Sequence, residues 1–214
     1  MKVQFSIASL ALLASVSFPS LAQSSYTLPA QSSNQLTLSG ISTEVDMDGG
    51  SEQNAFDGGG ALAELRLQWQ HDWYVGLSAR FSETRYNDVD LLTDELTASI
   101  GTHHFLNAKT RLFSELLLQR LTMETDTGKA RVEDQEIGPA IKLGIEHQTQ
   151  TQLTFYASAR YSHLTREISY WRTELGVFYM FNPRTAMGLS YQRDTASDTE
   201  YQQDSYLLNV RFWF

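Results

Sequence analysis

The sequence predicts an all-β protein, an antiparallel up-and-down transmembrane β-barrel of ten strands. Three observations predict it. Apolar and polar residues alternate with period two, tight turns alternate with longer acidic connections, and aromatics collect at both ends of the apolar face. A strand sends successive side chains to opposite faces, whereas a helix would scatter the charges around its axis.

The chain of 214 residues suits one domain. Residues 1–22 read as a cleaved signal peptide. Lys2 is the positive start, Phe5 to Val16 the apolar run, and Ser20-Leu21-Ala22 the small-residue cleavage signal. The run is too short to span a bilayer, and Pro19 interrupts its end. Residues 23–34, rich in Ser, Gln and Asn, read as a poorly ordered lead-in, and 35–214 as the barrel. The formal charge of −9 becomes −9 − 1 = −10 without Lys2, which argues against nucleic acid as a partner. With no cysteine, disulfides and cysteine-based metal sites are excluded.

Strands are expected near 35–46, 61–70, 73–86, 92–105, 110–123, 133–147, 152–164, 168–181, 185–193 and 203–214, with eight strands as the alternative count. The second sets Ala61, Ala63, Leu65, Leu67 and Trp69 against Leu62, Glu64, Arg66 and Gln68. The third sets Trp73, Val75, Leu77, Ala79 and Phe81 against Tyr74, Gly76, Ser78, Arg80 and Ser82. The seventh and eighth repeat the rule, with Phe155 and Ala157 against Tyr156 and Ser158, and Trp171 and Leu175 against Arg172 and Glu174. Pro139 falls within the sixth and has no N–H for the ladder, so a bulge or kink is expected at Gly138-Pro139, or a later start.

Tight turns are expected at His71-Asp72, Asn107-Ala108-Lys109, Gln148-Thr149-Gln150 and Asn182-Pro183-Arg184. Longer connections are expected near 47–60, 86–91, 124–132 and 194–202, with a shorter one near 164–167. An even strand count puts every tight turn on one side.

Three features say that the apolar face looks at lipid. The polar face is rich in small residues such as Gly76, Ser78, Gly144, Ser158, Gly176 and Gly188, as a crowded lumen requires. Aromatics form two girdles, Trp69, Trp73, Phe181, Phe212 and Phe214 at the tight-turn end and Phe81, Tyr161, Trp171, Tyr191 and Tyr206 at the other. The third is the last stretch, Tyr206 to Phe214. It resembles the C-terminal signal of bacterial outer-membrane barrels, a terminal Phe with apolar residues at alternate positions before it. Tyr206, Leu208, Val210, Phe212 and Phe214 match that stripe. The resemblance implies an integral protein of the Gram-negative outer membrane. It also implies recognition of the last strand by the barrel-assembly machinery, with membrane phospholipid and lipopolysaccharide as further partners.

The inner face carries a lumen charge network of Arg66, Arg80, Lys142, Arg160, Arg172 and Arg211 with Glu64, Glu95, Glu115, Glu136, Glu146 and Glu174. Facing lipid each would be costly, while enclosed each finds a partner. Ten strands lie near the size that side chains fill, so the expectation is a largely plugged, salt-bridged lumen and a structural or surface-interaction role. A narrow pore is the alternative, and a lipid-modifying enzyme the distant one. Five histidines, His71, His103, His104, His147 and His163, show no evident Ser and carboxylate constellation, and Ser162 and His163 face opposite ways. No catalytic residue or cofactor is therefore assigned. Acidic residues crowd two external connections, Asp46, Asp48, Glu52 and Asp57 in the first and Asp194, Asp198, Glu200 and Asp204 in the last. They read as a solvated surface and no metal site, since the carboxylate that closes a calcium loop is missing.

Overall fold

The computed structural model describes residues 34–47, 55–70, 72–86, 89–128, 130–149, 152–165, 169–196 and 201–214. The expected signal peptide, most of the lead-in, His71, and the loop acids Asp48, Glu52, Asp198 and Glu200 lie outside the described residues. The strands are β1 (Gln35–Met47), β2 (Ala55–Gln70), β3 (Trp73–Tyr86), β4 (Val89–Asn107), β5 (Thr110–Asp126), β6 (Arg131–Gln148), β7 (Leu153–His163), β8 (Ser169–Asn182), β9 (Thr185–Ala196) and β10 (Tyr201–Trp213). Each pairs antiparallel with its sequence neighbours, and β1 pairs with β10 from Gln35↔Trp213 to Met47↔Tyr201, closing the barrel. Closure pairs the backbone groups without leaving a sheet edge, which is what a strand needs to cross lipid. The count is ten, and the eight-strand alternative is set aside.

Burial runs opposite to that of a water-soluble protein. Leu77, Leu116, Leu118, Leu143, Leu175 and Leu189 stand outward and exposed, while Arg66, Arg80, Glu95, Glu115, Glu146 and Arg211 are buried within. Only lipid makes that outer surface favourable.

Two of the tight turns, after β4 and β8, share one chemistry. The side-chain Oδ1 of Asn107 accepts from the Lys109 N–H at 2.9 Å, and that of Asn182 accepts from the Arg184 N–H at 2.8 Å. These Asx turns reverse the chain in a few residues. Each of the turns after β2, β4 and β8 is preceded by a register shift, at Gln68/Gln70, Phe105/Asn107 and Met180/Asn182.

At the other end the strands outrun the expected ones. β4, β5 and β6 continue to Val89, Asp126 and Arg131, and the connection expected near 124–132 shrinks to a hairpin in which Gly128 adopts a φ of 71°. β2 begins at Ala55, so Gly58-Gly59-Gly60 lies in a strand and not in a loop. The glycines are there because β3 comes close. A Cβ on Gly58 would sit 2.0 Å from the Glu83 carbonyl oxygen, and one on Gly60 2.0 Å from that of Phe81.

Pro139 causes no bulge. β6 runs through it in continuous register, with Pro139 opposite Leu118. The Ile137 N–H donates to Thr165 Oγ1, so N–H groups at odd positions here point towards the β7 side. The β6–β7 ladder starts only at Ala140↔Ser162, so the missing donor of Pro139 falls just beyond it.

Candidate functional site

The lumen is the candidate site, and it is crossed by side chains in layers. The lowest layer, near the tight turns, is apolar: Phe113, Tyr156, Phe178, Met180, Ala186 and Trp213 pack together. Small residues make room for these rings, Gly144 against Phe113 and Gly188 against Phe178. Arg211 of β10 lies over the Phe178 ring, 4.1 Å from its centroid, and donates to Glu146 Oε1 at 3.0 Å. Arg111 of β5 holds the other oxygen of Glu146. Glu146 is on β6 and Arg211 on β10, so this contact crosses the lumen rather than running along the wall.

The middle layer centres on Arg66. Its guanidinium holds Glu64 at 2.6 Å and Glu115 at 3.0 Å, and the Tyr74 hydroxyl donates to the same Glu115 oxygen at 2.7 Å. Lys142 lies over the rings of Phe113 and Tyr156 and makes no ion pair with a described residue. Among the described residues Glu174 accepts only a long hydrogen bond, 3.4 Å, from the Tyr156 hydroxyl.

The upper layer is the broadest. Glu95 of β4 accepts from Arg160 of β7 at 2.7 Å and from Arg172 of β8 at 2.9 Å. Arg172 also holds Asp194 of β9 at 2.6 Å, and Arg80 of β3 approaches Asp194 at 3.9 Å while donating to Ser205 Oγ at 3.1 Å. Tyr170 ties in Gln119, which donates to its hydroxyl oxygen at 2.8 Å, and Arg160, which donates at 2.7 Å. Glu136 sits above, accepting from Thr165. Between the middle and upper layers lies a cavity of about 60 Å³, lined by Lys142 and Glu174 together with Ser78, Thr97 and Ser158. A space of that size holds a few waters.

All twelve residues of the expected charge network thus face the lumen, in three groups: Arg211 with Glu146; Glu64, Arg66, Glu115, Lys142 and Glu174; and Arg80, Glu95, Arg160 and Arg172, with Glu136 higher up. Two members of the layers were missed. Arg111 shares the inward parity of Phe113 and Glu115 but lies one residue after a turn. Asp194, expected in the last external loop, continues the inward series Ser190, Gln192 because β9 runs to Ala196. Asp204, also expected in that loop, lies in β10 on the outer face and pairs with Arg193 at 2.7 Å. Asp57, expected in the first loop, is an exposed residue of β2, and Asp46 belongs to β1.

The outer wall holds the aromatics. Trp69, Trp73, Phe81, Trp171, Tyr206, Phe212 and Phe214 are exposed, as is Leu208. Half-buried Tyr161, Tyr191 and Phe181 pack on Trp171, Tyr206 and Tyr179, with ring centroids 5.0, 5.4 and 5.2 Å apart. Val210 is half-buried on the same face. Of the histidines, His103 stacks on Tyr74 in the lumen, while His104, His147 and His163 are exposed, and Ser162 is buried on the opposite face from His163.

No family model matches the chain, and no curated protein matches it. Solved structures share its fold. An outer-membrane channel from Pseudomonas putida F1 aligns with a TM-score of 0.53 at 8% identity, covering 91% of this chain and 100% of that one. The outer membrane protease OmpT from Escherichia coli aligns at 0.52 and 10% identity, covering 88% and 98%. The beta domain of the Bordetella autotransporter BrkA aligns at 0.51 and 10% identity, covering 84% and 98%. A channel, a protease and an autotransporter domain share this likeness, so it carries the fold and no activity. Closed on itself, greasy without and charged within, the chain has the fold of the integral outer-membrane β-barrels of Gram-negative bacteria.

Proposed function

We propose that this barrel is closed to solutes and serves as a structural or surface-interaction protein, without catalysis. The observation that carries the reading is the set of ion pairs that reach across the lumen. Glu146 to Arg211, Glu95 to Arg172 and Arg80 to Asp194 each join strands four places apart in a ring of ten. Pairs between adjacent strands would line the wall and leave the centre open, whereas these occupy the centre. The apolar layer of Phe113, Phe178 and Trp213 adds a second obstruction below them. The histidines support a non-catalytic reading. The Nδ1 atoms of His147 and His163 share hydrogen bonds with Thr110 and Ser169, and His103 is stacked on Tyr74.

The partners follow from the surfaces. Phospholipid and lipopolysaccharide cover the apolar wall, the assembly machinery reads the stripe from Tyr206 to Phe214, and the polar strand ends beyond the wall meet whatever lies outside the cell. The test is conductance of the purified barrel in planar bilayers. We expect a silent membrane. Large, steady unitary steps would contradict the reading and favour a narrow pore, a second reading supported by the cavity at Lys142 and Glu174, whose charges lack ion-pair partners among the described residues.

A further inference from the structure

We infer that the outer wall carries a binding site for one phosphate-bearing lipid of the outer leaflet, lipid A in chemical class, with an acyl chain in a groove and its phosphate on Arg120. The inference rests on the outer-membrane reading and adds to it a specific site.

The groove has a volume of about 540 Å³ and opens sideways towards lipid. Its floor is Ala63, Ala79 and Ala98, its walls include Leu77 and Leu118, and Arg120 stands at one end. The short floor residues lie among long ones, since Ala79 is opposite both Ala63 and Leu96, and Ala98 is opposite both Leu77 and Leu118. A depression of that kind in a lipid-facing wall takes a hydrocarbon chain.

Arg120 supplies the polarity. It is exposed on the outward face of β5, between Leu96 and Ile137 on the neighbouring strands. Below it that face is Leu116 and Leu118, and above it Thr122, Glu124 and Asp126, so Arg120 marks the border. It lies ten residues along the strand from Thr110. At about 3.3 Å per residue and a tilt near 40°, that is roughly 25 Å up, the full height of an outer-membrane apolar band. The other described arginines on outward strand faces each hold a carboxylate: Arg85 with Asp90, Arg131 with Glu124, Arg193 with Asp204. Arg120 makes no hydrogen bond or ion pair with a described residue, although Asp94 is only one register step away, opposite Thr122. At the rim of an apolar wall a guanidinium reaches the headgroup layer at little cost, and a phosphate there fits its planar fork of donors. The leaflet at that height is the outer one, whose lipid carries phosphates directly above its acyl chains.

The test is native mass spectrometry of the intact barrel in detergent, titrated with bis-phosphorylated lipid A, dephosphorylated lipid A or phosphatidylglycerol. We expect wild type to hold one bis-phosphorylated lipid A in preference to the other two. Arg120→Gln weakens that binding by about fivefold, the scale of an exposed charge pair, and leaves the dephosphorylated lipid unaffected. Ala79→Leu, which fills the groove, weakens both forms of lipid A. Equal binding by wild type and Arg120→Gln overturns the site, whether because Asp94 takes the guanidinium or because the lipid binds elsewhere. Phosphatidylglycerol binding as well as lipid A overturns the choice of occupant. Each variant is also run on a gel with and without boiling. A heat-sensitive shift with unchanged lipid binding sinks only this site, whereas loss of the shift in wild type sinks the barrel reading beneath it.

Discussion

On the outer surface Arg193 holds Asp204 at 2.7 Å with its side chain 45% exposed, and in the lumen Arg211 holds Glu146 at 3.0 Å with the two side chains 7% and 1% exposed. The residue types and distances are alike, and the surroundings are not. Outside, water replaces either partner at little cost. Inside, Glu146 serves Arg111 and Arg211 together, and removing it strands two cations where little water reaches. Distance therefore says little about what an ion pair contributes here, and enclosure decides.

The largest expected effect comes from Glu146→Ala. It should cost about 3–5 kcal/mol, the range for breaking a buried pair from one side, measured by urea unfolding in lipid vesicles. A cost below about 1 kcal/mol would show that lumen water screens the network as well as bulk water does. Arg193→Ala is the smallest. It should stay within about 1 kcal/mol in the same assay, and the difference should shrink further as salt is raised. Comparable losses for the two variants would erase the distinction between the regions.

The same contrast explains what was legible in the sequence. Within the belt, lipid on one side and a polar lumen on the other enforce strict alternation, so Ala61 to Trp69 and Trp73 to Phe81 were readable as strands with the correct face outward. Beyond the belt water lies on both faces and alternation lapses. There β5 and β6 continue with Glu124 outward and paired to Arg131, and polar residues alone look like loop. Asp194 is misplaced for that reason, being an inward residue near the end of a strand whose outward neighbours, Arg193 and Thr195, are already polar. Gly58 and Gly60 misled for another: glycine signals a turn in sequence, while here it admits the close backbone of β3. Pro139 suggests a disturbance in sequence, and its outcome depends on where a neighbouring strand stops, which no local pattern reveals. The pairing of individual charges was illegible altogether, because parity gives the face and not the partner across the lumen.

The central claim is orientation, and Leu116-Leu117-Leu118-Gln119 tests it most directly, because three consecutive leucines give alternation no foothold. Leu116 and Leu118 are 63% and 60% exposed on the outer wall, Leu117 lines the lumen cavity, and Gln119 is fully buried. The chain has no cysteine, so one can be introduced at each position in turn and labelled with a fluorophore in vesicles of brominated lipid. The account predicts strong quenching at positions 116 and 118 and little at 117 and 119. Quenching at 117 and 119 instead, or at none of the four, would contradict it.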